Sequence, residues 1–161
     1  EKREIIGFIH PSFANEVLPI FQFRLPKEAK EIREEVFVKE QGFANEFDEI
    51  DSRSWHLVLY LDQTPIATGR VYEEDPETYR IGRICVRKPF RGQSVGTYVV
   101  KFLCNKAISL GARKAVLLAQ LDKQSFYDRI GFRPDPNGEI VLDEGVPHIE
   151  MTKVLVRSKR K

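Results

Sequence analysis

The chain has 161 residues, a formal net charge of +2 and two cysteines. This length suits a single domain over residues 1–161, with one core that needs no disulfide or structural metal. No apolar run approaches the eighteen residues of a membrane span, and the mixed start EKREIIGFIHPSF does not fit a signal peptide. The sequence therefore predicts a soluble, cytoplasmic protein without a membrane partner.

The positive charge is concentrated in a basic tail, residues 157–161. Arg157, Lys159, Arg160 and Lys161 supply four charges there, so residues 1–156 carry a net charge of −2. A short terminal charge run is more often a solvated end than a binding site. Because the body is acidic and its aromatic residues are not interleaved with Lys and Arg, we expect no nucleic-acid partner.

The first half of the chain predicts a strand, a helix and a hairpin. VLPIFQFRL is typical of a strand, and Pro26 then opens a helix that extends to Gly42. Within that helix the positions Ala29, Ile32 and Val36 share one face. WHLVLYL (residues 55–61) and PIATGRVYEE (residues 65–74) flank a polar turn, as the two strands of an antiparallel hairpin do.

The second half predicts a crossover followed by a helix and two strands. YRIGRICV is a strand, and apolar residues at helical spacing then indicate a helix from Val95 to Gly111. KAVLLAQL, apolar at successive positions, predicts a central strand covered on both faces. QSFYDRI is a short helix ending at Gly131, and EIVL and HIEMTKVL are strands. This order predicts the α/β class: a mixed, mostly antiparallel sheet flanked by helices, with one strand-helix-strand crossover between residues 79 and 121.

The turn RKPFRGQSVG is the most informative segment. Arg91, Gly92 and Gly96 lie at the start of a helix, where backbone N–H groups, a positive helix end and a guanidinium favour phosphate. The turn lacks the Gly-Lys-Ser/Thr ending of a P-loop and does not match the dinucleotide fingerprint. On the local pattern alone, a tight turn with Ser94 capping the helix explains it equally well.

With its neighbours, this turn resembles the acetyl-CoA motif Arg/Gln-x-x-Gly-x-Gly/Ala of the GNAT superfamily of N-acetyltransferases. The motif reads Arg91-Gly92-Gln93-Ser94-Val95-Gly96 here. ICVRKPFRG resembles the family's fourth strand, KAVLLAQL its fifth and SFYDRIGF its Tyr-x-x-x-Gly-Phe region, so the resemblance covers about residues 20–155. DEGVPHIEM and FDEIDSRSWH are similar to a bacterial subgroup whose substrates are largely unassigned.

The resemblance implies a GNAT-like sheet and direct transfer of acetyl from acetyl-CoA to a primary amine of a small molecule or peptide. It implies that the pantetheine arm pairs with the backbone of the strand, and that the diphosphate lies on the turn and the first helical residues. The strand residues are Ile84, Cys85 and Val86, and those of the turn are Arg91, Gly92, Gln93, Ser94, Val95, Gly96 and Thr97. Ser94 replaces the usual middle glycine, which we expect to weaken CoA binding without abolishing it.

The resemblance also implies a catalytic role for Tyr127, which would protonate the departing thiolate. The alternative is an aromatic side chain of an amphipathic helix without chemistry. Cys85 and Cys104 lie in apolar patterns and are interpreted as reduced core thiols, which argues against an acetyl-cysteine intermediate.

A base must take the proton of the attacking amine. Glu46, Asp48, Glu49 and Asp51 form an acidic loop that would attract a cationic amine, with Glu49 and Asp51 as the first candidates. The alternative is an ordinary solvated loop. His148 and His56 are further candidates, each equally interpretable as a structural imidazole, whereas His10 looks incidental.

Two further expectations concern ligands and assembly. Three dispersed histidines without ligand spacing predict no metal site. A homodimer is plausible by analogy with the family. The alternative to an enzyme is a non-catalytic acyl-CoA-binding or regulatory module of the same fold.

Overall fold

The computed structural model describes residues 17–44 and 47–155. Its helices are α1 (Lys27–Arg33), α2 (Val95–Ser109) and α3 (Gln124–Ile130). Its strands are β1 (Val17–Gln22), β2 (Trp55–Leu61), β3 (Thr64–Asp75), β4 (Thr78–Val86), β5 (Lys114–Gln120), β6 (Arg133–Pro134), β7 (Val141–Asp143) and β8 (Val146–Val154). Helix α1 continues as a π-helical segment, Glu34–Glu40, and 3₁₀ turns cover Glu49–Arg53, Lys88–Phe90 and Leu121–Lys123.

The eight strands form a mixed, mostly antiparallel sheet flanked by helices, which confirms the predicted class. Their order is β1-β2-β3-β4-β5-β8-β6, and β7 pairs with β8. Strands β4 and β5 pair in parallel, as the predicted crossover requires. The two-residue strand β6 has no counterpart in the sequence prediction, because so short a segment carries no periodicity.

The chain divides by its internal contacts into two compact units. The first unit contains the described residues up to Arg70 together with Arg83–Leu103, and the second contains Val71–Gly82 and the described residues from Cys104 onward. In the first unit, β1 pairs antiparallel with β2 along its whole length. In the second unit, β5 pairs antiparallel with β8 along its whole length. The single domain stays a prediction.

Several local features of the structure agree with the sequence prediction. Ala29, Ile32 and Val36 are buried together on one helical face. Gly42 and Gly131 follow their helices with φ values of +81° and +107°, a backbone conformation that glycine adopts at little cost.

Leu118 departs from the prediction made for β5. Its neighbours Leu117 and Ala119 are buried, but Leu118 is 40% exposed. The prediction that both faces of this strand are covered is therefore wrong at Leu118. An apolar run cannot distinguish a covered position from one that remains open.

Gly69 lies in β3, where residues of helix α2 in the first unit pack closely against the strand. A Cβ added at Gly69 would lie 2.7 Å from Leu103 Cδ1 and 3.2 Å from Val99 Cγ1, and both side chains are fully buried. We expect Gly69→Ala to lower the free energy of unfolding by about 1–3 kcal/mol in urea denaturation, because the packed side chains must shift. Gly82→Ala is the matched control, since its added Cβ meets nothing within 4 Å. Equal losses in the two variants would contradict this explanation.

Candidate functional site

The turn between β4 and α2 has a backbone built for close approach. A 3₁₀ turn over Lys88–Phe90 leads into it, and Gly92 then has a φ of +78°. Ser94 has a φ of +68°, which lies in the left-handed region that non-glycine residues rarely adopt. A glycine would adopt this conformation at little cost. Ser94 adopts the same kind of backbone conformation at a conformational cost of about 1–2 kcal/mol.

The first turn of α2 supplies hydrogen-bond donors. The N–H of Tyr98 bonds the Ser94 carbonyl at 3.3 Å, so Ser94 is the residue from which the helix starts. The N–H groups of Val95, Gly96 and Thr97 precede that first bond and have no carbonyl to accept them within the helix. The Val95 side chain itself is buried, so only its backbone can serve a ligand. Such a helix start favours an anion.

Arg91 is held by two groups of the first unit. Its Nε donates to the Val86 carbonyl at 2.8 Å, and its Nη1 and Nη2 bond the two carboxylate oxygens of Glu40 at 2.5 and 2.8 Å. The hydrogen bond to Glu40 raises the pKa of Arg91 above its ordinary value. The guanidinium predicted to face phosphate is thus paired with a carboxylate in this structure.

In the strand predicted to meet the pantetheine arm, the thiol of Cys85 is packed in the core. Cys85 is buried in an apolar cluster with Ile32, Val36 and Phe37. The parallel pairing of β4 with β5 runs from Thr78 to Arg80, before Ile84–Val86 is reached. Cys104 is also a buried free thiol, and burial raises its pKa to about 11. Both cysteines are buried and free, so their predicted place in the core is confirmed.

The acidic loop is largely neutralised by arginines. Asp51 receives Nη1 and Nη2 of Arg33 at 2.9 and 3.1 Å and Nη1 of Arg70 at 2.8 Å. Asp48 bonds the same Arg70 nitrogen at 2.8 Å and Arg83 at 3.2 Å. Burial alone would raise the pKa of Asp51, but the hydrogen bonds and charges of Arg33 and Arg70 outweigh it and lower that pKa. These contacts favour a structural role for Asp51, and its catalytic role stays a prediction.

Glu49 differs from its two neighbouring acids. It begins the 3₁₀ turn with its side chain exposed, and it makes no ion pair among residues 17–44 and 47–155. Phe47 of the same loop lies with its ring 4.7 Å from the Arg33 guanidinium. Glu46 lies outside the described residues. Within the described part of this loop, Glu49 is therefore the exposed carboxylate that makes no ion pair.

The two described histidines are both buried and hydrogen-bonded. His56 donates from Nε2 to the Asp51 carbonyl at 2.9 Å, and burial lowers the pKa of His56, which keeps it neutral near pH 7. His148 donates from Nδ1 to the Val146 carbonyl at 2.8 Å, which leaves its Nε2 as the proton acceptor of the neutral ring. In the same way, the neutral ring of His56 keeps its Nδ1 as an acceptor. His10 lies outside the described residues.

Tyr127 lies on α3 in the second unit. Its ring makes edge contacts with Phe126 and Phe132, at centroid distances of 4.9 and 6.0 Å. Burial raises the pKa of Tyr127 to about 12, so its hydroxyl stays protonated throughout the physiological range. The C-terminal end of α3 is fixed by Lys153, whose Nζ donates to the Ile130 carbonyl at 2.9 Å. The hydroxyl is therefore a proton-bearing donor on an anchored helix.

The comparisons with known proteins identify the family. The sequence model of the Acetyltransferase (GNAT) family matches residues 14–132, more than half of the chain. The chain belongs to the GNAT family of acetyltransferases. The resemblance inferred from the turn is thereby confirmed.

Relatives and solved structures agree with the GNAT family. The uncharacterized N-acetyltransferase YjcF of Bacillus subtilis (strain 168) is 39% identical over 129 residues, which cover 79% of this chain and 91% of YjcF. An acyl-CoA N-acyltransferase of Pseudomonas aeruginosa is 27% identical with a TM-score of 0.75, covering 86% of this chain and 99% of that one. A GNAT acetyltransferase of Elizabethkingia anophelis with acetyl-CoA bound has a TM-score of 0.67 over 86% and 98% of the chains. At 17% identity it shows the GNAT fold alone.

The described residues of this GNAT protein were compared with the features of a metal site and of a membrane-spanning helix. No group of three or more His, Cys, Asp or Glu side chains that could hold a metal occurs within residues 17–44 and 47–155. In the same part of the chain, no helix is long and apolar enough to cross a membrane. The basic tail, residues 157–161, lies outside the described residues.

Sequence reasoning missed the partners of the predicted GNAT site. The sequence pattern places Glu40 in a helix and predicts no role for Arg33 or Arg70. A signal for both arginines was present, because Arg33 follows the buried Ile32 and Arg70 stands in the buried part of β3. A buried guanidinium requires a counter-ion, so the acids of the loop were its natural candidates.

Proposed function

We propose that the protein is an acetyl-CoA-dependent N-acetyltransferase that passes acetyl directly to a primary amine of a small molecule or peptide. One observation carries this proposal. The turn Arg91–Gly96 combines left-handed backbone at Gly92 and Ser94 with a helix start whose first amides are unpaired within the helix. This turn lies inside the region that matches the GNAT family.

The proposed CoA contacts follow the family resemblance residue by residue. The diphosphate would lie on the backbone amides of the turn and of the first residues of α2, where the helix dipole favours negative charge. The pantetheine arm would pair with backbone groups of Ile84, Cys85 and Val86. The acetyl-CoA held by the Elizabethkingia anophelis acetyltransferase supports this choice of cosubstrate.

The proposed reaction forms a C–N bond, breaks the C–S bond and passes one amine proton to a base. The neutral amine nitrogen attacks the thioester carbonyl, the C–S bond of the tetrahedral intermediate then breaks, and the sulfur leaves as the CoA thiolate. The Tyr127 hydroxyl donates a hydrogen bond to that sulfur as its charge develops. Acetyl passes directly from sulfur to nitrogen. Because Cys85 is packed among apolar side chains, no acetyl-enzyme is proposed.

For the base we propose Glu49, with His148 as the second candidate. Glu49 is exposed, and its carboxylate makes no ion pair within the described residues, whereas Asp51 is bound by two arginines. His148 retains a proton-accepting Nε2. A Glu49→Gln variant that lost most of its kcat/KM for the amine while its affinity for CoA was unchanged would support Glu49. The same loss in His148→Gln alone would transfer the role to the histidine.

A second function, a non-catalytic acyl-CoA-binding module, is favoured by Ser94. Its Cβ and hydroxyl stand where the family's motif has glycine, and its φ of +68° adds a conformational cost. Thiol release separates the two functions. The protein is incubated with acetyl-CoA and a panel of polyamines, amino sugars, aminoglycosides and lysine peptides. Thiol release above the background hydrolysis with any amine supports the enzyme, whereas CoA binding without turnover supports the binding module.

Ser94→Gly tests how closely the turn approaches the phosphates. We expect this variant to bind CoA about tenfold more tightly in calorimetry, because one more backbone N–H then reaches a charged oxygen. Ser94→Ala is the control, since it keeps the Cβ and removes only the hydroxyl. If Ser94→Ala bound CoA more weakly than the unaltered protein, the hydroxyl itself would be the contact and the argument from close approach would fail.

A further inference from the structure

Arg91 is the strongest unexplained feature of the turn, because all three of its guanidinium nitrogens already bond the protein. Nε bonds the Val86 carbonyl, and the two terminal nitrogens bond both oxygens of Glu40. This bidentate arrangement is the strongest pairing between a guanidinium and a carboxylate. Bidentate use of Arg91 by a phosphate would require Glu40 to leave.

The π-helical segment explains why Glu40 reaches Arg91. In this segment the Gln41 N–H bonds the Val36 carbonyl five residues before it, at 3.0 Å. Residues five apart therefore stand above one another, which places Glu35 and Glu40 on the same side. Glu35 also pairs with an arginine of the turn RKPFRGQSVG, its Oε2 lying 3.4 Å from Nε of Arg87.

Two arginine–glutamate ion pairs therefore connect two segments of the first unit. Arg87 and Arg91 both belong to the turn RKPFRGQSVG, and each pairs with one glutamate of the π-helical segment. A π-helix is rare and is often found at functional positions. An ordinary α-helix would turn Glu40 away from the side that Glu35 occupies.

We infer that Arg91 is a positioning residue, which fastens the turn to the π-helical segment through Glu40 while backbone amides bind the diphosphate. This inference rests on the proposed function, because it concerns the same CoA site. It assigns Glu40 a part in cofactor affinity although Glu40 touches no phosphate. The Arg91 side chain is then not one of the phosphate contacts that the family motif implies.

A double-mutant cycle on CoA affinity tests the inference. Calorimetry gives the dissociation constant of CoA for the unaltered protein, Glu40→Gln, Arg91→Gln and the double variant. We expect each single change to weaken CoA about five- to tenfold and the double change to weaken it no further, because both remove the same contact. Glu34→Gln is the matched control, since it removes the same charge from the same segment without breaking an ion pair in the described part of the chain.

Two other outcomes would overturn the inference. If Glu40→Gln bound CoA more tightly, Glu40 would be a competitor of the phosphates. If Arg91→Gln weakened binding while Glu40→Gln did not, Arg91 would contact the phosphates directly. Arg91→Lys adds a second test, because a lysine keeps the charge but cannot reproduce the fork. We expect it to bind CoA as weakly as Arg91→Gln, and CoA affinity equal to that of the unaltered protein would contradict the inference.

The cycle also distinguishes failure of this inference from failure of the proposed function. If the unaltered protein binds neither CoA nor acetyl-CoA, the proposed function fails and this inference fails with it. If the unaltered protein binds CoA and the Glu40 variant is unaffected, only the positioning role of Arg91 is lost. Thermal unfolding of each variant without ligand confirms that affinities are compared between folded proteins.

Discussion

Replacing Asp51 by asparagine is expected to lower the free energy of unfolding by about 3 kcal/mol, because it removes the carboxylate that the buried Arg33 and Arg70 share, while Arg70 keeps its ion pair with Asp48. Arg33 is 1% exposed and Arg70 is 5% exposed, so water cannot take the place of the lost carboxylate. Asparagine keeps the shape of the side chain, and the loss therefore reports charge rather than a cavity. Urea denaturation at pH 7 measures it.

The matched control for this prediction is Glu49→Gln in the same 3₁₀ turn. Glu49 is exposed and is expected to change stability by less than about 0.5 kcal/mol. A loss below about 1 kcal/mol in Asp51→Asn would show that the two arginines find other partners, and the ion-pair cluster would then not hold the loop.

The cluster also predicts how stability depends on pH. The pKa of Asp51 is lowered from its ordinary value of 3.8, as is that of Asp48. A carboxylate with a lowered folded-state pKa stabilises the protein fully above its unfolded-state pKa, and this stabilisation disappears as pH falls through the folded-state pKa. We expect the unaltered protein to lose stability below about pH 4 more steeply than Asp51→Asn does, and equal slopes would contradict this assignment.

Local patterns predicted the elements that local forces decide. Strand β2 occupies Trp55–Leu61 as expected, and the buried positions Ala29, Ile32 and Val36 follow the helical period. Gly131 ends α3 with the positive φ that its position predicts. In each case neighbours within a few residues determine the conformation, so the sequence contains the information.

Contacts between distant residues could not be predicted in the same way. Arg33 and Arg70 lie eighteen and nineteen residues from Asp51, on opposite sides of it in the chain. Their convergence depends on how α1, the 3₁₀ turn and β3 pack, which no single window of sequence contains. The sequence therefore predicts Asp51 as a candidate base, whereas the structure surrounds its carboxylate with two arginines.

The same limit applies to the helix that begins at Pro26. Its apolar spacing predicts a helix up to Gly42 but does not reveal the change to π-helical bonding at Glu34–Glu40. That change determines on which face of the helical segment Glu40 lies, and hence whether it can pair with Arg91. The motif Arg91–Gly96 could be recognised from sequence, whereas the state of its arginine could not.

Tyr127→Phe is expected to lower kcat by about 10- to 150-fold, because it removes one hydrogen bond to a charged atom, worth about 1.5–3 kcal/mol. The pKa of Tyr127 is raised to about 12 by burial, whereas an alkyl thiol has a pKa of about 8.5. Full proton transfer to the thiolate would therefore be uphill, so the role proposed for the hydroxyl is that of a hydrogen-bond donor. Steady-state thiol release with an accepted amine measures the effect.

The pH profile separates this role from others. Because the hydroxyl stays protonated up to a pKa of about 12, Tyr127 cannot produce an alkaline limb in kcat between pH 7 and 10. We therefore expect Tyr127→Phe to lower the whole profile without changing its shape. Tyr60→Phe removes a hydroxyl from β2 and serves as the control with unchanged kcat. An unchanged kcat in Tyr127→Phe would leave the ring as a packing residue against Phe126 and Phe132, and the leaving sulfur would need another donor.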